Sequence, residues 1–89
     1  MIYIDQKKKL KYDTEKMELV SSNIRIANRF IGYDMAKLYK SEKGNWLLVR
    51  TCADVLIEAC PISKQKAIDL IIKYDPIQYE KYFEKLEEA

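Results

Sequence analysis

The residues able to do covalent or acid–base chemistry in this chain are few and poorly partnered. Ser21, Ser22, Ser41 and Ser63 are potential nucleophiles, but a serine hydroxyl needs a neighbouring base, and the 89-residue sequence holds no histidine. None of these serines lies in a nucleophile-elbow pattern. Cys52 and Cys60 would react only if a cation lowered their thiol pKa; both sit in apolar runs, which predict inert, buried thiols. Asp13 with Glu15, and Asp54 with Glu58, are carboxylate pairs whose spacing fits a turn cap or a solvated pair better than an acid–base couple. Gly32 and Gly44 are the only glycines, so no glycine-rich loop can cradle a phosphate. Two thiols with only carboxylates for company make a poor zinc set. The expectation is a protein that is not an enzyme and carries neither cofactor nor metal.

Binding chemistry is better represented. Lys37, Tyr39, Trp46 and Arg50 flank a Gly-containing turn, with Lys40 and Lys43 beside them. If that turn has two residues, the first four share one face of a hairpin, an aromatic and basic surface able to stack bases and contact phosphate. The other reading packs Trp46 and Tyr39 beneath the C-terminal part of the chain, leaving Lys37 and Arg50 at the sheet rim. Lys7, Lys8, Lys9 and Lys11 are either a phosphate-attracting edge or a solvated turn. Glu80, Glu84, Glu87 and Glu88 are either a contact for a basic groove in a partner or the polar face of an amphipathic helix. Charge is two-sided: residues 1–50 carry eleven basic and six acidic side chains, residues 51–89 five and eight.

These residues need elements to position them. Met1 to Asp5 alternates β-formers, residues 6–9 read as a turn, and Leu10 to Asp13 as a second short strand. Asp13-Thr14 offers a cap for a short helical or turn segment as far as Val20, and Ser21-Ser22-Asn23 reads as a loop. Residues 23–33 fit either a loop or an irregular strand. Residues 36–41 and 46–51 form a hairpin whose loop has two residues, or three with a bulge, and Gly44 supplies the positive φ. Val55 to Cys60 reads as a strand. Ser63 caps a helix with Ala67, Ile68, Ile71 and Ile72 on its apolar stripe; Asp75-Pro76 starts another with Tyr79, Tyr82, Phe83 and Leu86. The expected fold is a single α+β domain over residues 1–89: an antiparallel sheet of three to five strands, packed on one face by two C-terminal helices. No run is long and apolar enough to span a membrane, and nothing at the N-terminus resembles a signal peptide, so a cytoplasmic location is expected.

Tyr12-Asp13-Thr14-Glu15 after a short strand, Leu38-Tyr39-Lys40, Lys43-Gly44-Asn45-Trp46 at the hairpin, and Pro61-Ile62-Ser63 opening a helix that contains Ala67 follow one another in a set order. In this order the chain resembles a group of short uncharacterised proteins of phages and mobile elements of Gram-positive bacteria, which several anti-CRISPR proteins resemble in turn. The resemblance implies an inhibitor, made in the bacterial host cell, that binds a CRISPR effector complex and blocks its nucleic-acid engagement or activation. It implies no active site. The alternative expectation is a small nucleic-acid-binding accessory protein using the basic and aromatic hairpin.

Overall fold

The chain opens with a hairpin of β1 (Ile2–Asp5) and β2 (Leu10–Asp13), seen in a computed structural model that describes residues 1–30, 32–52 and 55–84. The Asp5 carboxylate accepts from the Lys7 and Lys8 amides at 3.1 and 3.2 Å, and Lys9 closes the turn in the left-handed region at φ 57°. After β2, the Asp13 side chain accepts from the Glu15 amide, and the Asp13 carbonyl from the Lys16 amide. The segment is therefore a turn. Strand resumes at Glu18, which corrects the expectation of a capped segment running as far as Val20.

Four strands follow as a meander: β3 (Glu18–Asn28), β4 (Gly32–Lys40), β5 (Trp46–Cys52) and β6 (Val55–Ile62), all antiparallel and in that spatial order. Ser21, Ser22 and Asn23, expected as a loop, lie inside β3, where they form two register shifts. The irregularity is held in place. The Asp75 carboxylate accepts from the Ser21 hydroxyl at 2.7 Å and from the Asn23 amide group at 3.2 Å, tying the bulged strand to the helical end of the chain. Pro61 falls inside β6, beyond the expected end of that strand, which an edge strand tolerates because its N–H side need not be paired.

Helix α1 (Lys64–Tyr74) is capped by Ser63, whose hydroxyl accepts from the Lys66 amide at 3.1 Å; α2 (Pro76–Tyr82) begins with its proline in the first turn. Ala67 and Ile71 are fully buried, and Leu70 and Tyr74 join their stripe. Ile72, expected on that stripe, is exposed. Tyr79, Tyr82 and Phe83 pack on the core as their spacing predicts; Leu86, Glu87 and Glu88 lie outside the described residues, as does Asp54. The α+β class with two C-terminal helices on one sheet face holds.

The core has two parts, one on each face of the sheet. On the helix side Val20, Ile24, Ala36, Leu38, Trp46 and Leu48 meet Ala67 and Ile71. On the other side Leu47 and Val49 meet Tyr12, with Tyr3, Leu10, Met17 and Tyr39 around them. The small hairpin is thus a third layer. Cys52 and Cys60 are free and exposed, contrary to the expected burial, because one ends β5 and the other lies on the edge strand. Among the described residues, no helix is long and apolar enough to cross a membrane.

Candidate docking face

Register at the central hairpin decides which side chains can act together. The Ser41 amide donates to the Asn45 carbonyl at 2.8 Å and the Gly44 amide to the Ser41 carbonyl at 2.9 Å, closing Glu42, Lys43 and Gly44 into a three-residue loop with Gly44 at φ +87°. Lys40 therefore faces Trp46, Tyr39 faces Leu47 and Lys37 faces Val49. A two-residue turn would have set odd positions opposite even ones. The extra residue moves Trp46 and Arg50 to the helix side while Lys37 and Tyr39 stay on the hairpin side, so the expected aromatic and basic platform does not exist.

Each expected member has another setting. Trp46 is 3% exposed and stacks on Phe83, ring centroids 5.8 Å apart. Tyr39 is half-buried against the core formed by Tyr12, Leu47 and Val49. Lys40 lines a shallow cleft with Lys16, Glu18 and Glu42, and Lys43 sits in the loop. Arg50 is held by its neighbours: its Nε lies 3.2 Å from the buried Asp34 carboxylate, Nη1 lies 3.6 Å from Glu58, and Nη2 donates to the Ala27 carbonyl at 3.4 Å. Glu58 so pairs across the strand with Arg50. A guanidinium that neutralises a buried carboxylate is a structural cation, since losing it leaves an uncompensated charge.

A different set does come together. On the hairpin side, Arg25, Met35, Thr51 and Leu56 are cross-strand partners in one row running over all four strands. Tyr33 is two residues from Met35 on the same face, and the Arg25 guanidinium lies 4.8 Å from its ring centre. Tyr33, Met35 and Leu56 are 46%, 38% and 49% exposed. Lys37 borders this surface and is the one expected site residue on it. Beyond it, at the β3–β4 turn, Phe30 is also largely exposed and lies beside Arg29.

The open surface has a simple cause. The four-residue strands β1 and β2 reach about 13 Å, whereas the nine residues of β4 run about 30 Å, at roughly 3.3 Å per residue. The small hairpin covers the end of the sheet near Tyr39, Leu47 and Val49 and stops there. Sequence reasoning missed this face because residues 23–33 had no settled assignment. The signal was present in residues 33–38, where Tyr33, Met35 and Lys37 alternate with Asp34, Ala36 and Leu38.

Such a face can bind through apolar, aromatic and guanidinium contacts. Among the described residues, no cluster of three or more Cys, Asp or Glu converges as a metal site would need. No family model matches the chain, and no curated protein or solved structure matches it either.

Proposed function

We propose that the chain is a non-catalytic inhibitor that docks on a bacterial CRISPR effector complex through the open half of its sheet, with Arg25, Tyr33, Met35 and Leu56 at the centre of the contact. The observation that carries the docking is the row of Arg25, Met35, Thr51 and Leu56 across the four strands, exposed at all but the half-buried Thr51, with the exposed Tyr33 ring beside it. Protein interfaces are enriched in those residue types, and contiguous exposed apolar surface on a small domain marks a place where something binds. The choice of partner class follows from the ordered sequence motifs that resemble phage and mobile-element inhibitors. The face itself argues for a protein partner over free nucleic acid, because Tyr33, Met35 and Leu56 make it largely apolar and aromatic, and its cations are Arg25, set against the Tyr33 ring, and Lys37 at its border.

The test uses purified, guide-loaded effector complexes of several CRISPR types, read by co-elution and by target cleavage. One type is expected to co-elute with the chain and lose cleavage. The Met35→Glu/Leu56→Glu variant, which alters only exposed side chains, is expected to keep the wild-type circular dichroism spectrum and to bind at least about 100-fold more weakly, because each carboxylate would be desolvated in the contact. Absence of binding or inhibition with every complex overturns the partner. Wild-type inhibition by the folded double variant overturns the face.

A further inference from the structure

At the opposite end of the sheet, β2, the turn that follows it and the β4–β5 loop enclose a groove of about 460 Å³. Lys9, Lys11, Lys16 and Lys43 line it, from three separate stretches of the chain. All four are exposed, and among the described residues none has an ion-pair partner; the ion pairs found there belong to Arg50. Two carboxylates, Asp13 and Glu42, share the lining. The Asp13 carboxylate already accepts from the Glu15 amide.

We infer that this groove is a binding site for a stretch of single-stranded nucleic acid, with the lysines on phosphates and the polar lining on base edges. Four cations against two anions make it attractive to a polyanion. Its lining also selects the kind. A compact oligophosphate brings only acceptors and would be repelled by Asp13 and Glu42. A nucleotide chain brings phosphates together with amino and imino donors, which Asp13, Glu42 and the Asn45 side chain can accept. Leu10 and Met17, on the same lining, offer apolar surface to a base face. The β1–β2 turn extends the track, since Lys7 and Lys8 are exposed immediately before Lys9. The groove is independent of the open sheet face and of the partner proposed for it.

Fluorescence anisotropy with a labelled 12-nucleotide mixed-sequence RNA and the matching DNA, over 50 to 200 mM salt, tests the site. Four phosphate contacts on a single strand predict a log–log salt slope of about −2.8, an approximately 50-fold loss of affinity over that range. Lys9→Gln, Lys11→Gln, Lys16→Gln and Lys43→Gln combined should cut the slope by about 2.8, leaving only what Lys7 and Lys8 carry, and weaken binding at 50 mM salt by a similar factor. Lys73→Gln/Lys81→Gln on the helices and Met35→Glu/Leu56→Glu on the sheet face should each leave it within about twofold. No binding of either oligonucleotide at 50 mM salt, or an equal loss in the helix variant, overturns the site. Displacement of the oligonucleotide by equimolar inorganic pyrophosphate overturns the choice of ligand, since it would show a pocket for compact phosphate.

Discussion

Replacing Trp46 with alanine separates a core tryptophan from a binding tryptophan. The indole is almost fully buried among Leu38, Leu48 and Ile71 and is stacked on Phe83 with an interplanar angle of 21°. Truncating a buried aromatic to alanine costs about 3–5 kcal/mol, which includes the cavity left behind. A domain of this length has in total about 4–13 kcal/mol, taking roughly 0.05–0.15 kcal/mol per residue. Loss of about 4 kcal/mol is then a third of the stability or more. With an unfolding entropy of roughly 2.1 cal/mol/K per residue, the midpoint should fall by about 20 °C. Trp46→Phe, which keeps a ring against Phe83, should lose about half as much. Because Trp46 is the only tryptophan, the variants are followed by far-ultraviolet circular dichroism in heat and urea, and the wild type by acrylamide quenching of its emission. A Trp46→Ala protein whose midpoint stays within about 5 °C of wild type would refute the reasoning. So would native emission quenched as readily as in urea.

Three further perturbations address the turns and the helix contact. Gly44→Ala should destabilise by about 1–2 kcal/mol in urea melts, because its φ of +87° is unfavourable to an L side chain while nothing lies within 4 Å of an added Cβ; Lys9→Gly, at φ 57°, should stabilise by up to about 1 kcal/mol in the same assay. Burial, then the hydrogen bond to the Glu18 carboxylate and that group's charge, push the Tyr82 phenol up to about 12 from 10.0. The folded state keeps that proton while the unfolded chain loses it, so the stabilisation is full below pH 10 and declines as pH rises from 10 towards 12. Tyrosinate absorbance and urea melts should show this step in the wild type and its loss in Tyr82→Phe.

How far the sequence reaches depends on whether local chemistry or distant contacts decide an element. Ser63 and Pro76 announce the helix starts because caps act within one turn, and the β1–β2 hairpin follows from β-formers around a polar turn. β3 was obscured because Ser21 and Asn23 satisfy their side chains through Asp75, more than fifty residues away, and no local pattern shows that partner. Ile72 illustrates a related limit: a helical stripe of Ala67, Ile68, Ile71 and Ile72 is wider than the surface the sheet offers, so Ile72 remains exposed.

The candidate site turned on one residue of loop length. The alternation of Lys37 with Tyr39, and of Trp46 with Arg50, is real on each strand, but joining the two strands through Glu42, Lys43 and Gly44 sets odd positions opposite odd ones. At this end of the sheet both faces are covered, by Phe83 and the helices on one side and by Tyr12 on the other, so the register is fixed by two cores at once. A slip by one residue would turn Trp46 and Leu48 out of the helix core and bring Leu47 and Val49 into it. The uncovered end has no such double constraint, because among the described residues Tyr33, Met35 and Leu56 face no second layer. Their apolar character therefore contributes little to folding this chain alone, and the residues that the fold leaves unexplained are the ones available to a partner.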